Sequence, residues 1–158
     1  MIPLPFQLQQ HLKRLDLTVC TAESLTAGLV SSSIASVSGA SAYLRGGVCA
    51  YTLDAKADVL GVDRALASAC CCVSEVVAEQ MAQGVLGLFK ADIAIATTGY
   101  AEPSAGLGVE TPYAFVCVKM AGASAVILVE GPGLGRTEMQ AFVTERALQL
   151  VVGMLRHL

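Results

Sequence analysis

Ala91-Asp92-Ile93-Ala94-Ile95-Ala96-Thr97 decides the fold class. Apart from Asp92 the run is continuously apolar. That pattern suits a strand at the centre of a sheet covered by helices on both faces. Upstream, Ser74 is placed to cap a helix whose Val77, Met81, Val85 and Leu88 form a buried stripe. Downstream, residues 113–119 and 124–130 flank the tight Ala121-Gly122-Ala123 turn, which predicts an antiparallel hairpin at one side of an otherwise largely parallel sheet. A final helix is expected from about Arg136, with Met139, Phe142, Val143, Leu150, Val151 and Met154 keeping a helical repeat.

The first half of the chain alternates in the same way. Leu8, Leu12 and Leu15 lie at helical spacing, and Leu17 to Cys20 reads as a short strand running into Thr21-Ala22-Glu23-Ser24. Ser24 is expected to cap a helix reaching about Ser36. Gly39 breaks the pattern, Gly47 to Thr52 reads as a second strand, and a short helix containing Lys56 and Leu60 is expected from Asp54. The sum is a three-layer α/β/α domain spanning 1–158, with a mixed, largely parallel sheet of about five strands.

Hydrophobic residues make up 54% of the 158-residue chain and charged residues 15%. An average soluble domain has roughly 45–50% and 25%. The excess implies a deep core or a face covered by another copy, so a homo-oligomer is expected. A formal net charge of −3, with no run among the 10 Lys and Arg residues, disfavours nucleic acid as a partner. The Met1-Ile2-Pro3-Leu4-Pro5 start has no basic region leading into an apolar run, and the apolar stretch 113–129 is broken by Lys119 and a turn. These features predict a cytoplasmic protein without membrane association. The six cysteines, including Cys70-Cys71-Cys72, lack zinc spacing and easy disulfide geometry, and are expected to be reduced thiols.

No P-loop or GxGxxG follows the first strand, which counts against an NTPase or a dinucleotide oxidoreductase. Ser41, Tyr51 and Lys56 form a set that could carry hydrolytic chemistry. An alkyl hydroxyl needs a base to attack at neutral pH, and a cationic Lys56 beside the Tyr51 phenol could fit that phenol for proton transfer. The same residues also suit a loop serine, a strand tyrosine and a solvated helix charge.

Ala22-Glu23-Ser24-Leu25-Thr26-Ala27-Gly28 resembles an Ala-Glu-Ser-Cys-Thr-Gly-Gly motif. Gly39 to Tyr43 resembles a Gly-Ser-Ser-Ala-aromatic segment, and Tyr51 to Lys56 resembles Tyr-Ser-Asn-Glu-Ala-Lys. Val73-Ser74-Glu75 and Thr98-Gly99 match further positions, in order and over nearly the whole chain. The family so marked is the C-terminal domain of the competence/damage-inducible protein CinA, which also stands alone as nicotinamide mononucleotide deamidase. The resemblance implies hydrolysis of the carboxamide of nicotinamide mononucleotide to nicotinate mononucleotide and ammonia, with no metal or cofactor and a small molecule as partner. It implies Ser41 as nucleophile and Tyr51 and Lys56 as the proton-transfer pair. Thr98 and Gly99 would help place the amide, and Arg136 would clamp an anion. Glu23 and Ser24 would shape the pocket at a helix N-terminus, where an anionic group is favoured. Ser24 suits either that contact or simple capping.

The chain also departs from the family pattern. Gly-Ile-Ala-Gly-Pro reads Gly99-Tyr100-Ala101-Glu102-Pro103, which puts a carboxylate where the family has glycine. Pro-Val-Gly-Thr-Val reads Pro112-Tyr113-Ala114-Phe115-Val116, adding two rings, and Gly-Asp-Arg near the last helix reads Gly133-Leu134-Gly135-Arg136. A changed pocket and a related, less anionic carboxamide follow as the alternative to the family substrate. A catalytically silent binding or assembly module is the third.

Overall fold

A computed structural model of the chain describes residues 2–158. Its elements are α1 (Leu4–Leu15), β1 (Val19–Glu23), α2 (Leu29–Ala35), β2 (Leu44–Cys49), α3 (Leu53–Leu60), α4 (Arg64–Ala69), α5 (Glu75–Phe89), β3 (Ile93–Tyr100), β4 (Tyr113–Met120), β5 (Ala123–Glu130) and α6 (Arg136–Leu155). The five strands form one sheet in the order β2-β1-β3-β4-β5. β1 lies parallel to both β2 and β3, while β4 and β5 are antiparallel to their neighbours. The apolar run thus supplies the central strand of a mixed sheet, as its composition requires. Asp92 sits just outside it, accepting hydrogen bonds from the Thr18 amide at 2.8 Å and hydroxyl at 2.6 Å. Those bonds hold its carboxyl below the usual range.

Two cores lie on opposite faces of the sheet. Val19, Ile93, Ile95, Val116 and Val118 face α1, α2 and α6, where they meet Leu8, Leu12, Ile34 and Val143. Their alternate neighbours Cys20, Ala22, Ala94, Ala96 and Cys117 face α3, α4 and α5. The period of two along β1 and β3 therefore sorts large branched residues to one side and small ones to the other. The small face lets α5 lie close to the strands, with Val77, Met81 and Val85 buried against them.

Some boundaries differ from the sequence expectations. β1 runs three residues further, to Glu23, and β2 begins three earlier, at Leu44. Ser24 does not cap the following helix, which starts only at Leu29. α4 was not expected; Asp63 caps it by accepting the Leu66 amide at 2.8 Å. α3 begins one residue early because the Thr52 hydroxyl accepts the Ala55 amide. Ser74 does cap α5, through the Val77 amide. Leu88 leaves the buried stripe and is half exposed, because in the last turn of α5 it is Phe89 that turns toward the core. Among the described residues, no helix is long and apolar enough to cross a membrane.

α5 also approaches α3 closely at Gly84, where an added Cβ would overlap the Leu60 carbonyl. That carbonyl belongs to the end of α3 and is backbone, so it has little room to retreat. Gly84→Ala should therefore destabilise the protein by about 1–3 kcal/mol, although alanine favours helix by ~1 kcal/mol. Urea unfolding should show a lower midpoint at unchanged slope; an equal or higher midpoint would refute the close approach.

Candidate active site

All three parallel strands point their carboxyl ends at one edge of the sheet, and the antiparallel pair brings residues 112–113 and 130–136 back to it. In open α/β sheets this edge is where ligands bind. β1 ends there on Glu23, which is 1% exposed. Its Oε2 accepts the amides of Gly28 at 2.9 Å and Val30 at 3.0 Å, and its Oε1 accepts that of Ser31 at 2.8 Å. The Thr26 hydroxyl adds a bond at 2.7 Å, and itself lies 2.8 Å from the Thr97 hydroxyl. Glu23 is therefore the cap of α2 and not a pocket wall. A carboxylate satisfies several first-turn N–H groups at once and opposes the helix dipole, so it displaces the hydroxyl cap expected from Ser24. The chain crosses from β1 to α2 through Ala27 and Gly28, both at positive φ, of 49° and 99°.

Relieved of capping, Ser24 turns to Lys56. Lys56 Nζ lies 2.9 Å from Ser24 Oγ and donates to the Ala50 carbonyl at 2.9 Å and the Tyr51 carbonyl at 3.1 Å. Lys56 is 1% exposed and pairs with no carboxylate. Burial pushes its pKa below the ordinary lysine value, and the nearby Cys72 thiol opposes this more weakly. Lys56 is thus not the solvated helix charge that its sequence context also suited. Nor does it meet the Tyr51 phenol: it bonds that residue's main chain, and the phenol oxygen accepts from Arg136 at 2.7 Å.

Arg136 also pairs with Glu102 at 2.6 Å. Tyr51, Gly99, Tyr100, Glu102 and Arg136 line a cavity of about 220 Å³ beside Leu25. Beneath it Thr98 is buried and donates to the Cys72 carbonyl at 2.7 Å. That bond ties the Cys70-Cys71-Cys72 turn, with Cys71 and Cys72 at positive φ, to the strand end. A wider groove of about 550 Å³ lies among α1, α2 and α6, but among the described residues Glu145 is its sole ionisable side chain.

Ser41 is placed elsewhere. It is exposed in a single 3-10 turn, Ala40–Ala42, ahead of β2. β2 then runs six residues to the carboxyl edge, about 20 Å at ~3.3 Å per residue. Within one chain Ser41 therefore does not reach Tyr51 or Lys56, and the serine meeting Lys56 is Ser24. The early start of β2 is what separates them. Sequence reading also missed the Glu102–Arg136–Tyr51 network and Gln140, which donates to the Leu25 carbonyl at 2.8 Å. Neither has a local signal, since the partners stand 34, 85 and 115 residues apart.

Replacing Glu23 by Gln removes the charge and one acceptor oxygen from the Gly28, Val30 and Ser31 amides. Glu23→Gln should lower stability by roughly 2–4 kcal/mol, with amide exchange in residues 28–31 accelerating more than in β3. Uniform acceleration at both places would argue against a local cap.

The sequence model of the CinA C-terminal domain matches residues 3–155. A CinA-like protein of Mycolicibacterium gilvum is 43% identical over 143 residues, covering 88% of this chain and 32% of that protein. One from Chlorobium limicola is 47% identical over 107 residues, covering 68% and 25%. The chain thus spans a quarter to a third of the length of these relatives. Among solved structures, the competence/damage-inducible protein CihA of Agrobacterium tumefaciens superposes with a TM-score of 0.83 at 31% identity, over 99% of this chain and 98% of that one. A CinA superfamily protein of Klebsiella pneumoniae gives 0.89 at 26% identity, over 98% and 97%. With its motifs, its sheet order and this match over nearly its full length, the chain belongs to the CinA C-terminal domain family.

Proposed function

We propose that this chain is an amidohydrolase that cleaves the carboxamide of a nicotinamide-type compound, with nicotinamide mononucleotide as the reference substrate. The observation that carries this reading is the buried 2.9 Å contact between Lys56 Nζ and Ser24 Oγ at the carboxyl edge of the sheet. A neutral lysine amine has two N–H donors and one lone pair. In this reading the Ala50 and Tyr51 carbonyls take two of the Nζ donors, and loss of the third proton leaves a lone pair 2.9 Å from Ser24 Oγ. Desolvation favours the neutral form, which is the form a general base needs.

In this reading Ser24 Oγ attacks the amide carbon while Lys56 takes its proton. Lys56 then returns the proton to the amide nitrogen, the C–N bond breaks, and ammonia leaves an acyl-serine ester. Water, deprotonated by Lys56, adds to that ester. Collapse breaks the C–O bond to Ser24, Lys56 returns the proton to Ser24 Oγ, and the acid product loses its own proton to solvent to give the carboxylate. Tyr51, held by Arg136, lines the cavity as a wall residue.

Ammonia release from nicotinamide mononucleotide and its uncharged-ring analogues tests the reading. Ser24→Ala should lower turnover by about 10³-fold or more, whereas Ser41→Ala should keep most of it. The reverse pattern would return the nucleophile to Ser41. Tight ligand binding without turnover by the parent would mark a silent binding module.

The pH dependence has a definite sign. Lys56 must lose its proton to act, so kcat/KM should rise with pH and level off below the ordinary lysine value. Lys56→Arg keeps the cation but cannot accept a proton near neutrality, so it should abolish the rise along with activity. A profile flat down to pH 5 would exclude Lys56 as the base. Stability follows the same group: the unfolded chain holds the proton to higher pH, so the folded form gains stability as pH rises between the lowered and ordinary values.

A further inference from the structure

The N-termini of α2 and α6 and the guanidinium groups of Arg136 and Arg64 already face carboxylates of the protein. The N-terminus of α2 is filled by Glu23, whose oxygens take the Gly28, Val30 and Ser31 amides. At the N-terminus of α6, the Gly135 amide donates to Glu138 at 2.8 Å. Arg136, the cation that lines the cavity, pairs with Glu102 at 2.6 Å. Lys56 is buried under three acceptors. Arg64 stands on α4, paired with Asp54 and Asp58. Among the described residues, no cation lining the cavity is left unpaired to receive a phosphate dianion. Glu102 and Arg136 are both half exposed, and exposed ion pairs stabilise a fold by only about 0–1 kcal/mol. The main effect of the pair is on the charge that an incoming ligand meets.

We propose that the carboxamide accepted by this site carries no phosphate, being a neutral or cationic aromatic carboxamide, and that Glu102 sets this preference by neutralising Arg136. A phosphate at the cavity would have to displace Glu102 from the guanidinium and then lie beside its carboxylate. A positively charged ring instead finds that carboxylate in a cavity lined by Tyr51 and Tyr100. The inference deepens the carboxamide-hydrolase reading and rests on it for the location of the site.

Nicotinamide riboside and nicotinamide mononucleotide differ only in the phosphate monoester and serve as the probe pair. Calorimetric dissociation constants should be measured for both at fixed ionic strength, together with ammonia release. The parent should bind the riboside about tenfold more tightly or better. Glu102→Gln should shift the ratio toward the mononucleotide by about tenfold, mainly through its affinity, and Arg136→Gln should shift it the other way. A structural role for the pair would weaken both ligands alike. Tighter binding of the mononucleotide by the parent, a ratio unmoved in Glu102→Gln, or no riboside binding at millimolar concentration would overturn the proposal. If neither compound is hydrolysed, the hydrolase reading falls, while the binding ratio still decides the phosphate question.

Discussion

The Glu23 carboxylate is the constraint on which the local architecture depends. It ends the strand that pairs with both parallel neighbours, and it satisfies the amide groups that open α2. Burying a carboxylate is costly unless each oxygen is well bonded, and here three amides and two hydroxyls supply those bonds. Because the acid does the capping, the serine that follows it is free to point at a lysine. One side chain therefore fixes a helix, a positive-φ crossing and the orientation of Ser24.

Lys56 shows the complementary logic. An ammonium in so dry a place is penalised by desolvation, and no carboxylate compensates it. Its three oxygen partners are all uncharged. The surroundings therefore lower the pKa of this lysine below its ordinary value. Two of those partners are carbonyls in the link between β2 and α3. The end of one strand and the start of one helix are thus organised around the amine.

Much of the fold was legible because the sorting rules are local. The run 93–97 could only be a covered strand, the hairpin at Gly122 followed from its turn, and Ser74 announced α5. Boundaries slipped where a tertiary bond outweighed a propensity. Ser24 was a plausible cap until a carboxylate from the preceding strand took the amides. Leu88 kept the helical repeat, yet the final turn of α5 packed Phe89 against the core instead. At the site, Tyr51, Gly99 and Arg136 do share a cavity, and Lys56 lies just beneath it. Ser41 shows why motif order alone misleads: ten residues separate it from Tyr51, but a strand lies between them. Ion pairs such as Glu102–Arg136 leave no periodic trace and become visible only once the chain has returned to the same edge.

The hairpin β4–β5 divides the labour of this edge. The Ser24–Lys56 contact comes entirely from the first 56 residues, whereas Gly99, Tyr100, Glu102 and Arg136 arrive from the end of the central strand onward. Substitutions in the later segment alter the cavity wall without touching the Ser24–Lys56 contact. The cavity wall can therefore drift in one half of the sequence while the buried lysine–serine contact stays intact in the other, giving the scaffold a built-in route to diversification.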